Sequence, residues 1–296
     1  MSEPAKKKSV NFEAAYSKHE RRWKDNRYVY AVLSRRSRGL SIGINLNPGK
    51  ECNFGCIYCQ VDRRTAPSLR TVDTELLSGE LHSILQEEKN GSLYETAPFD
   101  MLPPANRGVR DMAFSGNGEP TVSPVFGEAV RIAARARTHF KLDDTKIVLI
   151  TNASHLDDPA VRLALDVLDE HNGEIWAKLD TGTEEYFRTI NRSDIPLDKI
   201  LANILKTASV RPIIIQSLWL RMQGAVPHSA EIEAYCSRLN DLISSGARLK
   251  GLQLYTIARH TSGQSVTALA DIELDRIAEI VRHRVPVPVE IFYGVA

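Results

Sequence analysis

Residues 41–60 read SIGINLNPGKECNFGCIYCQ. The first part is an apolar run of strand length. The second is a short loop carrying Cys52, Cys56 and Cys59. Parallel α/β proteins collect ligands in the loops directly after their strands, so this stretch points to a fold class and a site together. Thiolates spaced C-x3-C-x2-C make a three-ligand set. Iron–sulfur clusters are held by Cys thiolates, normally four, and three would leave one iron open to a substrate or cofactor. Two other readings stay open. A structural zinc site closes with four ligands, yet no His lies in the loop, the nearest being His19 and His82. A disulfide with one spare thiol suits a reducing compartment poorly. The fourth cysteine, Cys236, sits in IEAYCSRLNDLI (232–243) and reads as a small buried residue of an amphipathic helix.

Working outward, the same kind of apolar run recurs. SIGINL (41–46), VRDMAFS (109–115), KIVLIT (146–151), EIWAKLD (174–180), RPIIIQS (211–217) and GLQLYTI (251–257) are candidate strands. Their near-continuous apolar cores suit parallel strands covered on both faces. Helical patterns fall between them. Leu76, Leu77, Leu81, Ile84 and Leu85 recur at helical spacing. Ser123-Pro124 and Asp158-Pro159 each read as an N-cap followed by Pro in the first turn. Thr183 caps EEYFRTI, Ser229 opens the helix of Cys236, and Leu274, Ile277, Ile280 and Val281 stripe the last helix. Strand and helix alternate six times, which specifies an α/β fold with a parallel sheet. Periodicity does not separate an open doubly wound sheet from a full or partial barrel. Residues 89–108, with Pro98, Pro103 and Pro104, read as a loop insertion. VPVPVEIFYG (285–294) adds a final strand that Pro286 and Pro288 confine to an edge.

The chain of 296 residues is 43% hydrophobic and 25% charged, enough for a sizeable core without disulfide or metal staples. No apolar run approaches the ~20 residues of a membrane helix. The opening MSEPAKKKSVNFE lacks the apolar stretch of a signal peptide, so a cytoplasmic location is the expectation. The net charge of +1 hides an asymmetry. Residues 1–70 hold 15 Lys and Arg against 6 Asp and Glu, and the remainder holds 23 against 31. A basic N-terminal quarter suits RNA or a phosphorylated substrate, and solvated charge is the plain alternative.

C-x3-C-x2-C with Tyr58 just before the last Cys resembles the signature of the radical S-adenosylmethionine (radical SAM) enzymes. FSGNGEPT (114–121) follows the second strand, where that superfamily carries a Gly-Gly-Glu motif. Here it reads Gly116-Asn117-Gly118-Glu119-Pro120, with Asn between the glycines. ITNAS, KLD, IQS and LYTIAR end the next four strands in order. Together with SRRSRGLSIGINLNP and KLDTGTEEYFRTINR they resemble uncharacterised bacterial members of the branch related to the wyosine-base synthases of tRNA. The resemblance covers about residues 35–260. Wyosine synthases carry a second cluster on further cysteines, which this chain lacks, and that weighs against their reaction.

The resemblance implies an α/β fold, a partial (β/α)6 TIM-like barrel with N-terminal and C-terminal extensions. Residues 1–37 would be a basic extension, 38–262 the core barrel, and 263–296 a C-terminal helix and strand. It implies a [4Fe–4S] cluster on Cys52, Cys56 and Cys59, with the methionyl amine and carboxylate of S-adenosylmethionine (SAM) on the fourth iron. One electron from a reductant such as a flavodoxin or ferredoxin would yield a 5′-deoxyadenosyl radical for hydrogen abstraction. Gly116, Asn117, Gly118 and Glu119 would meet the methionyl amine. Lys178 and Asp180 alternate with Leu179, so they share a face; they would take the methionyl carboxylate and a ribose hydroxyl. Asn152 and Gln216 would contact the nucleoside, and Tyr58 the adenine. Arg35, Arg36 and Arg38 are candidates for a phosphate-bearing substrate, and Arg259 and His260 for the mouth. The competing classes are a non-catalytic iron–sulfur protein for electron transfer or redox sensing, and a zinc scaffold.

Overall fold

The computed structural model describes residues 23–67, 69–259 and 266–294. Its main sheet has eight strands. These are β1 (Val29–Ser34), β2 (Gly39–Ile44), β3 (Val109–Phe114), β4 (Lys146–Thr151), β5 (Gly173–Lys178), β6 (Ile213–Leu218), β8 (Leu249–Tyr255) and β10 (Val289–Phe292). They lie in the order β1-β2-β3-β4-β5-β6-β8-β10. All pairs are parallel except β1–β2, an antiparallel hairpin. The sheet curls into a partial TIM-like barrel. A separate two-stranded ribbon joins β7 (Leu220–Met222) to β9 (Val266–Ala268).

The six candidate strands of the sequence are β2, β3, β4, β5, β6 and β8. Their apolar runs split cleanly by alternation. Met112, Phe114, Ile147, Leu149, Ile175, Ala177, Ile213 and Ile215 face the main core under the helices. Ala113, Val148, Trp176 and Ile214, with Ile150, form a separate small cluster on the concave face. A strand buried on both faces needs apolar residues at every position, which is why these runs show no polar alternation. The strand at 289–292 is an edge strand, as Pro286 and Pro288 required.

Seven helices among the described residues cover the outside: α1 (Thr74–Asn90), α2 (Phe126–His139), α3 (Pro159–Glu170), α4 (Glu184–Ile190), α5 (Leu197–Val210), α6 (Ser229–Ser244) and α7 (Asp271–Arg284). Asp158 caps α3 by accepting from Ala160 N, and Thr183 caps α4 by accepting from Tyr186 N. Ser123-Pro124 does not cap α2. Pro120–Val122 forms a 3-10 turn first, and the helix starts two residues later with Val125 at its N-cap and no side-chain bond there. On α1, Leu77, Leu81, Ile84 and Leu85 are buried, whereas Leu76 is exposed. The stretch 91–108 contains only short 3-10 turns.

β1 lies inside residues 1–37, the segment that the sequence marks by its basic charge rather than by a strand pattern. It places its edge opposite β10 across the open side of the barrel. The β1–β2 turn reaches over that seam: Arg35 donates to the Tyr293 carbonyl, and Arg38 pairs with Glu290 at 3.0 Å. Residues 1–22, with most of the basic N-terminal segment and His19, lie outside the described residues, as does His260. No helix among the described residues is long and apolar enough to cross a membrane.

Candidate functional site

The loop after β2 lies at the C-terminal mouth of the barrel. Its backbone is tied to the end of α4: Gly55 N donates to Asn191 O at 3.0 Å and Ile57 N to Ile190 O at 2.9 Å. Ile57 packs with Ile190, Leu218, Leu220 and Val266 in a small apolar cluster at the mouth. A second tie runs to the end of β4. Asn152 Nδ2 donates to Asn53 Oδ1 at 2.8 Å, and Asn53 Nδ2 to Ser154 Oγ at 2.8 Å. The loop is therefore held from two sides before any ligand is present.

Cys52, Cys56 and Cys59 are half-buried thiols, none in a disulfide, around one cavity of about 290 Å³. Cys236 is a buried residue of α6, in the main core and away from that cavity. Burial, and then the Glu119 charge among the opposing effects, raises the Cys52 thiol pKa. Burial and the Asp180 charge push the Cys56 thiol up to about 12. Arg63 answers part of this. Burial opposes its charge, but Cys52 and Cys59 beside it raise its pKa and accept from it. Among the described residues, no three His, Cys, Asp or Glu side chains converge on a single-ion site. All three thiols line the same cavity, which suits ligands that each take a different iron. Soft thiolates are the donors such clusters use, so the residues fit the group.

The turn after β3 packs directly on this loop. Glu119 N donates to Glu51 O at 3.1 Å, and Asn45 Oδ1 accepts from both Asn117 N and Asn47 N at 3.1 Å. The two glycines are required by space. A Cβ on Gly118 would stand 1.8 Å from Glu51 O, and one on Gly116, at φ +156°, would stand 2.4 Å from Asn45 Oδ1. Glu119 is 3% exposed. Its Oε1 accepts from Thr121 Oγ1 at 2.6 Å and Thr151 Oγ1 at 2.7 Å, and its Oε2 from Asn152 N at 2.7 Å. Burial raises its pKa against those bonds.

Lys178 and Asp180 do share a face, and they meet at 2.9 Å. Their roles divide. Lys178 lines the cavity, donates to the Tyr255 hydroxyl, and lies 5.0 Å from the Tyr58 ring centre and 4.8 Å from that of Tyr255. Burial works against its charge, but Asp180 and Tyr255 outweigh it and its pKa ends above the ordinary lysine value. Asp180 sits beneath the wall. Oδ1 takes Lys178 and Leu218 N, and Oδ2 takes the Tyr58 hydroxyl and Asn191 Nδ2. Those donors occupy it, so it acts on the site through Lys178, Tyr58 and Asn191. Tyr58 itself is held neutral, its pKa raised by burial and by Asp180.

Of the remaining described candidates, all but Arg38 also reach the cavity wall. Gly116, Asn117, Gly118, Asn152, Gln216 and Arg259 all line it. The Asn152 amide is engaged by Asn53 and Ser154, and Gln216 by Arg36 and Gln253. Sequence reasoning missed Asn45, Arg63 and Asn191. Asn45 directly follows β2 and Asn191 caps α4 at its C-terminus, and no periodicity marks either. Arg63, four residues past the last cysteine, was legible as a cation beside thiolates.

The chain matches the model of the Radical SAM superfamily over residues 46–215. It belongs to that superfamily, whose members use a [4Fe–4S] cluster and SAM and draw an electron from a reductant. A protein named GTPase Obg from Brachyspira hyodysenteriae is 26% identical over 266 residues, covering 88% of this chain and 34% of that protein. A UPF0026 protein from Helicobacter pylori strain J99 is 30% identical over 181 residues, covering 60% and 51%. The chain spans about a third to a half of the length of these relatives. Among solved structures, a radical SAM methyltransferase from Sphaerobacter thermophilus superposes with a TM-score of 0.64 at 14% identity, over 90% of this chain and 69% of that one. TYW1 with a lysine–pyruvate adduct bound gives 0.52 at 14% identity, over 93% and 82%. At such identities the shared property is the fold.

Proposed function

We propose that this chain is a radical SAM enzyme that holds one [4Fe–4S] cluster on Cys52, Cys56 and Cys59 and takes SAM and its substrate into the lumen below them. The observation that carries this reading is the cavity lined together by the three cysteine thiols, the Gly116–Glu119 turn and Lys178. When bound, the cluster and SAM would supply a one-electron cleavage of the sulfonium carbon–sulfur bond, giving a 5′-deoxyadenosyl radical for hydrogen abstraction.

The chain's own residues position the reactants. Arg63 stabilises negative charge on Cys52 and Cys59. The Gly116–Gly118 turn lets backbone approach the ligand closely. Glu119 Oε2 has one protein donor, Asn152 N, and keeps a lone pair for the methionyl ammonium. Lys178 holds its proton and faces the methionyl carboxylate. Asp180 positions Lys178, Tyr58 and Asn191 together, and Tyr58 offers a ring face to the adenine. Gly43, Ala113, Ile150 and Trp176 line the lumen below and keep water from a reactive radical. A small low-potential protein such as a flavodoxin or ferredoxin would deliver the electron.

The test is anaerobic. The protein is loaded with iron and sulfide, reduced with dithionite and given SAM, and 5′-deoxyadenosine is quantified. The wild type should form the nucleoside, and single Cys52→Ala, Cys56→Ala and Cys59→Ala variants should not. A fully loaded cluster that yields no nucleoside would replace this reading with an electron-transfer or redox-sensing role.

A further inference from the structure

The turn that straps the seam also sends one side chain inward. The Arg36 guanidinium lies 5.7 Å from the Trp176 ring centre and 5.2 Å from that of Tyr255, and it donates to Gln216 Oε1 at 3.2 Å. Lys178 lies 4.8 Å from the same Tyr255 ring, so one ring carries two cations. Lys178 has its carboxylate in Asp180. Among the described residues, no carboxylate hydrogen-bonds to Arg36 or pairs with it. Asp111 feels its charge, yet Asp111 accepts instead from Ser41, and burial raises its pKa. A second guanidinium stands alongside: burial and then the Arg36 charge lower the Arg35 pKa.

A half-buried cation with no carboxylate bonded to it is costly, and Arg36 opens onto the cavity beside Asp111. The aromatic faces and Gln216 fix its plane, which leaves its remaining N–H groups as a preformed fork. Ser34 and Ser37, whose hydroxyls bond each other at 3.0 Å, line the same wall, and the Ser41 hydroxyl there is taken by Asp111. The sheet surrounds this end of the lumen and the β1–β2 turn covers its open side, so the space suits a small molecule.

We infer that the lumen recognises a small substrate carrying a carboxylate or phosphate group, with Arg36 as the residue that binds the anion. The inference names the substrate class of the enzyme proposed above and rests on that reading for the reacting end alone. In that arrangement the anion fixes one end of the substrate at Arg36, and the opposite end is presented toward the cysteine loop.

The test is a titration without turnover. Cluster-loaded protein with SAM and no reductant is titrated with inorganic phosphate and, separately, with acetate, against chloride at matched ionic strength. Trp176 fluorescence is the readout, isolated with a Trp176→Phe control. The wild type should respond saturably to one or both anions, and the tighter of the two identifies the source of the charge. Arg36→Lys, which keeps the charge and loses the fork, should bind at least tenfold more weakly, and Arg36→Gln should not respond. A wild-type-like response in both variants overturns the inference. So does an equal response to chloride. A tenfold loss of SAM affinity in Arg36→Gln with phosphate binding intact would assign the guanidinium to the cofactor and also overturn it. An RNA oligonucleotide that elicits the Trp176 response more tightly than either anion would overturn the small-substrate class. No step uses an electron, so a wild type that makes no 5′-deoxyadenosine would sink the proposed reaction and leave this result standing.

Discussion

The side-chain amide of Asn191 donates to the Cys56 sulfur at 3.6 Å. The same nitrogen reaches Asp180 Oδ2 at 3.0 Å, so one amide joins the thiol of a proposed cluster ligand to the carboxylate that also holds Lys178 and Tyr58. An N–H donor to a cluster thiolate favours the reduced, more negative state. Asn191→Leu should therefore move the cluster midpoint potential to more negative values and slow SAM cleavage by roughly 10- to 100-fold. A redox titration followed by electron paramagnetic resonance reads the first effect independently of the second. An unchanged potential would show that the amide serves only the loop.

Gly118 tests the contact between the cysteine loop and the turn after β3. Its missing Cβ would fall 1.8 Å from a backbone oxygen, that of Glu51, and 2.7 Å from Asn47 Cβ. Neither atom can swing away as a flexible side chain would, so Gly118→Ala must push the cysteine loop outward. The strain should cost about 1–3 kcal/mol in stability. The displaced loop should hold less iron. Iron and sulfide per chain, measured after reconstitution, should fall well below the wild type, whereas Gly79→Ala on α1, where nothing stands within 4 Å, should load normally.

What the sequence revealed follows from what each feature depends on. The six inner strands were legible because burial on both faces writes itself into every residue of a run such as KIVLIT. The cysteine loop was legible because thiolate chemistry narrows the uses of three close cysteines. Lys178 and Asp180 were legible as a pair, since alternation puts them on one face. Their division of labour was not, because it depends on Leu218 N and Asn191 arriving from other elements. Asn191 and Asn45 act through contacts that other elements bring to them, and a single polar residue has no periodicity to betray it. Arg36 was legible as a candidate for an anionic substrate, but its contacts with Trp176, Tyr255 and Gln216 were not. β1 had strand character in VYAVLS, but the surrounding basic residues led the segment to be grouped as an extension. The Ser123-Pro124 pair looked like a cap because the signal is local, and the 3-10 turn at 120–122 that overrides it is set by Glu119 accepting from Thr121 N.

Glu174 governs a pH effect at the floor of the barrel. Its side chain is 4% exposed and pairs with Lys146 at 3.0 Å and Lys250 at 2.6 Å, and it also accepts from Trp176 Nε1 at 2.8 Å. Burial opposes its charge, but Lys250, Trp176 and Lys146 outweigh it, so its pKa lies below the ordinary glutamate value. A carboxylate with a depressed folded-state pKa stabilises the fold fully above its unfolded pKa, and loses that contribution as pH falls through the folded value. Both lysines are about half exposed, so solvent screens the pairs and the contribution is about 1–2 kcal/mol. Glu174→Gln should lose that amount in urea unfolding at pH 7. The gap from the wild type should narrow progressively as pH falls below the ordinary glutamate value, and a gap that does not narrow with pH would mean the loss is one of packing rather than charge.

Tyr235 separates the stability of the barrel from the chemistry at its mouth. Its hydroxyl lies 2.6 Å from Ser217 Oγ, both residues are fully buried, and its ring stands edge-on to Trp219 at 5.2 Å. The bond pins α6 to β6 one residue before Leu218, whose N–H holds Asp180. Removing one partner strands the other in a dry interior, which costs about 1–3 kcal/mol, whereas removing both leaves nothing unsatisfied. Tyr235→Phe and Ser217→Ala should each lower the melting temperature, and the double variant should lose clearly less than the two losses added together. The Asp180 bonds come from Lys178, Tyr58, Asn191 and Leu218, none of which is altered, so SAM cleavage by Tyr235→Phe at 20 °C should stay within about twofold of the wild type. A cleavage loss as large as that of a site variant would mean that α6 positions Asp180 through this bond, and would make the pin part of the site.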